Sequence, residues 1–294
     1  MKPKFNHILY FLLIFIIYLN QTERMSGQET VEGKKVYFSK FFVGISAGPA
    51  FGSEINKPLN SITGLTSVDK STYFASLELG YFFTRHLGFT TGVEYSVYSS
   101  DLSLKDYSNS FTTKDADNET YEKRITGSDI KETQTINYLK VPVELCIRFS
   151  PDRRLGFFIF GGADVLFPVK GAYDGSGTFS YTGFYPAYNV TFQNLPAYGF
   201  TNNTPVSTKG SLTLNSPSFE GFAGAGFSCF ITSKMQVLVS ACYARSLSTI
   251  SGYKSSDAYQ LTSDSSVINS LMGANSEVTL QTIGAKLAFR FYLK

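Results

Sequence analysis

Apolar and polar residues alternate with a period of two along most of the chain. One run of alternate positions, from Tyr73 through Leu77 to Phe83, is wholly apolar, whereas the positions between them include Glu78. The same pattern resumes almost at once, at Leu87. Alternation of this kind is typical of β-strands with one apolar face, and so short a separation predicts a tight hairpin.

Eight segments follow this pattern, and the connections between them alternate between short and long. The segments are 41–52, 72–84, 87–98, 139–149, 157–168, 219–231, 237–243 and 283–293. The short connections are 85–86, 150–155 and 232–236, and the long ones run roughly over 53–71, 100–134, 169–217 and 248–276. Short turns at one end and long loops at the other are typical of bacterial outer-membrane barrels. The sequence therefore predicts an all-β fold, an eight-stranded antiparallel up-and-down transmembrane β-barrel, with a soluble sandwich or ligand-binding barrel as the alternative.

The two faces of the predicted strands differ in charge. The apolar face carries none, as expected of a surface in contact with lipid, where a charge at mid-bilayer costs about 2–4 kcal/mol. The other face carries five acids and four bases, which we interpret as a structural charge network in a lumen that side chains fill. Its members are Glu78, Glu94, Lys140, Glu144, Arg148, Asp164, Glu220, Lys286 and Arg290.

Aromatic residues gather near the strand ends and predict two interfacial girdles. We expect Tyr73, Tyr95 and Tyr138 at the outer girdle and Phe83, Phe89, Phe149, Phe157 and Phe291 at the inner one.

The N-terminal residues have the features of a secretory signal. Lys2 and Lys4 precede a short apolar run from Ile8 to Leu19, and the small residue Gly27 follows a polar stretch. A charged start, a short apolar middle and small residues near the cut site predict a cleaved signal peptide over 1–27, with an uncleaved amphiphilic anchor as the alternative. We expect a periplasmic lead-in over 28–40 and the outer-membrane barrel over 41–294.

Composition and missing motifs exclude several functions. The net charge of +3 and the absence of a basic cluster argue against nucleic acid as a partner. Cys146, Cys229 and Cys242 form neither a disulfide framework nor a zinc motif, and no cofactor is predicted. His86, the single histidine after the signal, falls in a predicted periplasmic turn, so the sequence predicts a protein that is not an enzyme.

The long loops are the expected place of function. Segment 173–200 is rich in Tyr, Phe, Asn and Gly, which give adaptable contact surfaces. An equal alternative is that this segment extends the strands above the membrane or folds over the mouth of the barrel. The loop from 100 to 134 is rich in charged and hydroxyl residues and is expected to be solvated and mobile. The candidate contact residues for a protein partner are Tyr181, Phe184, Tyr185, Tyr188, Tyr198 and Phe200.

Three segments resemble a known family. YLKVPVELCIRF (138–149), FFVGISAGPAFG (41–52) and the GAKLAFRFYLK ending are similar to strands of the outer-membrane β-barrel proteins of Bacteroidetes that include the PorT-like group. The resemblance implies an outer-membrane barrel, and it adds one alternative function, an accessory component of a protein-export apparatus.

Together these observations predict a non-enzymatic outer-membrane barrel that displays long extracellular loops for binding or structural roles. Its expected partners are outer-membrane lipid, the barrel-assembly machinery during biogenesis and a protein bound through the loops. Besides the export component, the remaining alternatives are a small channel and a lipid-modifying enzyme.

Overall fold

A computed structural model describes residues 40–58, 62–149, 151, 154–253 and 259–293. The predicted signal peptide and nearly all of the predicted lead-in lie outside these residues and stay predictions. The described chain forms two short 3-10 turns, Pro196–Tyr198 and Leu271–Ala274, and eleven strands. The strands are β1 (Phe41–Pro58), β2 (Leu65–Asp69), β3 (Ser71–Phe82), β4 (Leu87–Lys114), β5 (Thr120–Phe149), β6 (Leu155–Tyr185), β7 (Val190–Phe192), β8 (Thr204–Ser211), β9 (Ser218–Thr232), β10 (Met235–Ser246) and β11 (Asn275–Tyr292). No helix among the described residues is long and apolar enough to cross a membrane.

Eight of the strands close into a ring. The order is β1–β3–β4–β5–β6–β9–β10–β11, and β11 pairs with β1 to complete it. Every pairing in the ring is antiparallel. The small strands β2, β7 and β8 lie outside the ring, where β2 pairs with β4 and the other two pair with β6. The predicted eight-stranded up-and-down barrel is confirmed.

The side chains of the ring face the way the alternation predicts. Leu77, Val93 and Leu145 point outward with exposed fractions of 65%, 45% and 54%. Glu78 and Glu144 point inward and are buried. Along β3 and the residue that follows it, the outward apolar positions run from Tyr73 to Phe83. A strand of about 9–11 residues is long enough to cross a bilayer.

Two expectations about the outer end are wrong. Residues 100–134 are not a solvated loop, because β4 and β5 run on as a paired hairpin up to a turn at 115–119. Tyr138 does not belong to an outward girdle, because it is fully buried inside and packs edge-on against Tyr98. The girdle residues Tyr73 and Tyr95 are exposed as expected.

The continued strands build a second region above the ring. We call it the extension: residues 98–114 of β4, 120–137 of β5 and 168–185 of β6, with β2, β7 and β8. At about 3.3 Å per residue, it rises on the order of 50 Å along the strands. Its outward positions carry mainly hydroxyl side chains, such as Ser108, Thr126 and Ser180, which are cross-strand neighbours. Its inward positions form an apolar core that includes Leu102, Leu104, Ile125, Ile130 and Phe179.

Candidate functional site

The outer half of the lumen holds three carboxylates around one ammonium group. The Lys140 Nζ lies 2.5 Å from Glu220 Oε1, 3.8 Å from Glu94 Oε1 and 4.0 Å from Asp164 Oδ2. The register places Asp164 directly opposite Glu220 and Glu94 opposite Lys140, so the four side chains share one level of the ring. Each of the four side chains points into the lumen because it occupies an inward position in the alternation of its strand.

The inner half of the lumen holds the opposite balance, with three bases, Lys286, Arg290 and Arg148, against two acids. Arg290 Nη2 lies 3.0 Å from Glu78 Oε2 and 3.6 Å from Glu144 Oε1. Lys286 Nζ lies 2.6 Å from Glu78 Oε1 and 3.9 Å from Glu144 Oε2. The two carboxylates therefore each face two cations, which offsets the cost of taking these charges out of water.

Arg148, the remaining predicted member, takes part in an aromatic seal at the inner end. Its guanidinium lies 3.4 Å from the centre of the Phe82 ring, and Nη1 donates to the Tyr292 hydroxyl at 3.0 Å. Phe42 packs against both Phe82 and Tyr292. These rings and the guanidinium stacked on them close the lumen at the side of the short turns.

The predicted set of nine charges is thus brought together inside the ring. A small cavity remains between Glu144, Phe160, Lys286 and Arg290, of about the size of one water molecule.

The outer end is closed by a segment that the sequence assigned to an irregular loop. We call residues 259–274, between β10 and β11, the cap. Leu261, Leu271 and Met272 in it are fully buried. Met272 belongs to the same buried cluster as Tyr98 and Tyr138, and the Tyr98 ring lies 5.3 Å from Lys140 Nζ, so this cluster joins the cap to the outer charges of the lumen.

Three tyrosines of the extension bind the backbone of the cap. The contacts are Leu261 N–H donating to the Tyr107 hydroxyl at 3.2 Å, the Tyr173 hydroxyl donating to the Ile268 carbonyl at 3.0 Å and the Tyr181 hydroxyl donating to the Asp264 carbonyl at 2.7 Å.

A buried carboxylate, Glu132 on β5, holds the 3-10 turn of the cap. Its Oε2 accepts from the Leu271 N–H at 2.7 Å, and its Oε1 accepts from the Ser270 hydroxyl at 2.7 Å and from Gln134 Nε2 at 2.6 Å. Burial raises the pKa of Glu132 above its ordinary value, and these hydrogen bonds offset part of the rise. Glu132 was not among the predicted site residues, although Ile130, Glu132 and Gln134 continue the alternation of β5 from Leu139 toward the extension.

The six candidate contact residues separate into three groups by exposure. Tyr181, Tyr185 and Phe200 are buried at 0%, 7% and 3% exposure, so their assignment as contact residues is corrected: they are packing residues. Tyr188 and Tyr198 are 60% and 69% exposed. Phe184 is half-buried and lies under the Arg124 guanidinium, 4.4 Å from ring centre to Cζ.

Exposed apolar side chains gather at the far end of the extension. This tip cluster consists of Tyr188, Val190, Phe192, Leu195 and Tyr198, each at least 39% exposed. It borders the acidic turn 115–119, because the Tyr188 hydroxyl donates to Glu119 Oε1 at 2.7 Å. The sequence signal for it was the Tyr-rich composition of 173–200, which could not separate inward from outward rings.

His86 is the one histidine among the described residues. His86 lies in the turn between β3 and β4, with its Nδ1 2.9 Å from the Arg148 carbonyl oxygen, at the end of the barrel opposite the extension. Within the described ranges, no three His, Cys, Asp or Glu side chains are arranged to hold a metal ion.

A closed antiparallel ring that is apolar outside and charged inside defines the class of transmembrane β-barrels of the bacterial outer membrane. The chain belongs to the family described as the outer membrane protein beta-barrel domain, whose model matches residues 21–252. The protein is therefore located in the outer membrane.

Among solved structures, the chain is similar to three outer-membrane proteins at low identity. It shares 13% identity with the neisserial surface protein A, covering 86% of this chain and 97% of that one, with a TM-score of 0.34. It shares 12% with OprG of Pseudomonas aeruginosa, covering 90% and 100%, with a TM-score of 0.35. It shares 14% with Ail of Yersinia pestis, solved with a heparin analogue, covering 86% and 99%, with a TM-score of 0.30. No curated protein matches the sequence, and similarities of this size assign no function.

Proposed function

We propose that this protein is a non-conducting outer-membrane barrel that presents the tip cluster of its extension to a protein partner outside the cell. The observation that carries the proposal is an exposed group of large apolar side chains held far above a lumen that is closed at both ends. Contiguous exposed apolar residues rimmed by polar ones are characteristic of interaction sites.

The chemistry of the tip favours a partner with apolar and basic residues. Tyr188 and Tyr198 are large, exposed rings with few rotatable bonds, which suits them as contact anchors. The neighbouring turn carries Asp115, Asp117 and Glu119 within five positions and no base. Complementary charge on the partner would steer the encounter.

Site-specific photo-crosslinking in intact cells tests this proposal. We expect a crosslinking residue in place of Tyr198 to give one discrete protein adduct, and the same residue in place of Thr126, on the outward face of the extension, to give none. The adduct should weaken when Tyr188→Ser or the pair Asp117→Asn and Glu119→Gln is added. Equal adducts at both positions, or none at 198, would contradict a role of the tip.

Conductance measurements test the part of the proposal that describes the lumen as closed. In planar bilayers the purified barrel is expected to show no conductance above background, because charge pairs, the aromatic seal and the cap fill its length. Steady conductance well above background would favour the small channel instead.

The export-accessory role implied by the PorT-like resemblance predicts a different result. That role requires stable co-purification of the barrel with large outer-membrane or periplasmic components, and such an association would persist in a Tyr188→Ser, Tyr198→Ser variant. A tip-dependent extracellular partner supports our proposal over that alternative.

A further inference from the structure

Glu132 is a buried acid whose hydrogen-bond partners are all neutral, unlike the acids of the lumen. Glu132 is 2% exposed, yet none of the ion pairs found among the described residues includes it. Its partners are a backbone amide, a hydroxyl and a side-chain amide, all neutral donors. The lumenal carboxylates Glu78 and Glu220, by contrast, are each buried against a cation.

A buried carboxylate without a cation can lower its free energy in two ways. It can take up a proton, or it can return to water if the segment that covers it moves away. The covering segment here is the cap, since Ser270 and Leu271 supply two of the three donors. The three hydrogen bonds favour the carboxylate, but in the closed state its loss of solvation outweighs them. The ionised form of Glu132 therefore favours release of the cap, and the protonated form favours closure.

We propose that Glu132 is a proton-operated latch that holds the cap over the mouth of the barrel more firmly in acid than at neutral or alkaline pH. The proposal concerns the mouth and does not depend on the tip cluster or its partner. Opening would uncover apolar side chains such as Leu261 and Met272, which the closed cap buries completely.

Among the titratable groups around Glu132, Glu132 itself is the one expected to change protonation between acid and neutral pH. Tyr173 on β6 and Tyr259 in the cap face it, and burial, followed by the charge of Glu132, raises the pKa of both phenols, so they stay neutral. Tyr253 lies beside these rings and is a phenol as well. Asp264, the acid of the cap, accepts hydrogen bonds from Ser266 that lower its pKa, so it stays ionised.

The sign of the pH dependence follows from the direction of the shift. Because the pKa of Glu132 is raised in the closed state, closure is favoured below the ordinary Glu value of about 4.3 and loses stability as the pH rises to the raised pKa. Above that value the opening equilibrium levels off. Within the window, one proton allows up to about tenfold more opening per pH unit.

Hydrogen exchange on the full mature protein, folded in lipid, measures this equilibrium. Protection factors of the cap amides from Ile268 to Ala274, corrected for intrinsic exchange, should fall as the pH rises above about 4.3 and then become constant. Glu132→Gln, which is neutral and nearly isosteric, should abolish the pH dependence and keep the cap protected at pH 8 at least as well as the parent. Glu119→Gln, at the exposed tip, is the matched control and should behave as the parent does.

Three outcomes would overturn the latch. They are a parent protein whose cap protection does not change with pH, a Glu132→Gln variant with an unchanged pH profile, and a Glu132→Gln variant that loses protection equally at every pH. The last outcome would mean that Glu132 only supports the fold. A gel comparing boiled and unboiled samples shows in each case that the ring itself is folded.

Discussion

The transmembrane ring and the extension are two parts of the same strands with opposite polarity. In the ring, Leu77 and Val93 face outward and Glu78 faces the interior. In the extension, Ser108 faces outward and Leu104, at 1% exposure, faces the interior. The backbone and the alternation are the same in both, so the surrounding solvent decides which residues each face can carry.

The two interiors differ because the hydrophobic effect operates in only one of them. Above the membrane, moving Leu104 or Ile125 out of water stabilises the extension at roughly 25 cal/mol per Å² of apolar surface. Inside the bilayer, an apolar interior would gain little over lipid, so ion pairs and hydrogen bonds join the strands from within. The ring is therefore expected to depend on charge pairing and the extension on apolar packing.

Removing one charge from the lumen gives the largest expected effect. Arg290→Met leaves Glu78 and Glu144 with Lys286 as their remaining cation, and breaking a buried pair in this way costs about 3–5 kcal/mol. Unfolding by urea of the protein in lipid vesicles measures the loss. The control is Lys209→Met, which breaks an exposed pair with Asp174 at 2.9 Å and should cost about 0–1 kcal/mol. Similar losses for the two variants would show that the interior charges are not what holds the ring.

The same contrast explains which parts of the molecule the sequence predicted. In the ring the alternation is unbroken, so the inward position of residues such as Lys140 followed directly from the pattern. In the extension the alternation slips: buried positions go from Leu104 to Tyr107 on β4 and from Ile125 to Ile130 on β5. The slip on β5 includes Asp129, with a φ of 51°, and a register shift against β6. Before these slips the polarity of the two faces already reverses, with Ser99 and Asp101 on the outward face and Leu102 on the inward one, so the apolar outward face of the ring ends near residue 98.

The cap was beyond sequence reasoning for a different reason. Its buried residues, such as Leu261 and Leu271, have no period, because a coiled segment is held by hydrogen bonds from other elements. Those partners, among them Tyr107 and Glu132, are distant in the sequence. Three of the six predicted contact residues were wrong for a related reason, since composition alone could not show that side chains such as Tyr181 point inward.

An apolar deletion in the extension should affect that region without unfolding the ring. Leu104→Ala is expected to cost the extension about 2–5 kcal/mol, because Leu104 packs in the core shared with the cap. Hydrogen exchange should show faster opening of the cap and of the β4–β5 hairpin, while the urea midpoint of the ring changes little. Ser108→Ala, on the outward face, is the control with near-parental exchange. A shift of the ring as large as that of the extension would mean that the two regions fold as one unit.

Substitutions on the outward faces of the ring and the extension have the smallest expected effect and compare the two surroundings directly. Leu77, in the middle of β3, lies between Ile45 and Val93, so Leu77→Arg puts a cation against the hydrocarbon and should cost about 2–4 kcal/mol. Ser128→Arg places the same side chain on the outward face of the extension, in water, where substitutions usually change stability by less than about 0.5 kcal/mol. Urea unfolding in lipid vesicles compares the two variants. If both arginines cost the same, the outward faces share one solvent, and the boundary between the ring and the extension does not lie at the membrane surface.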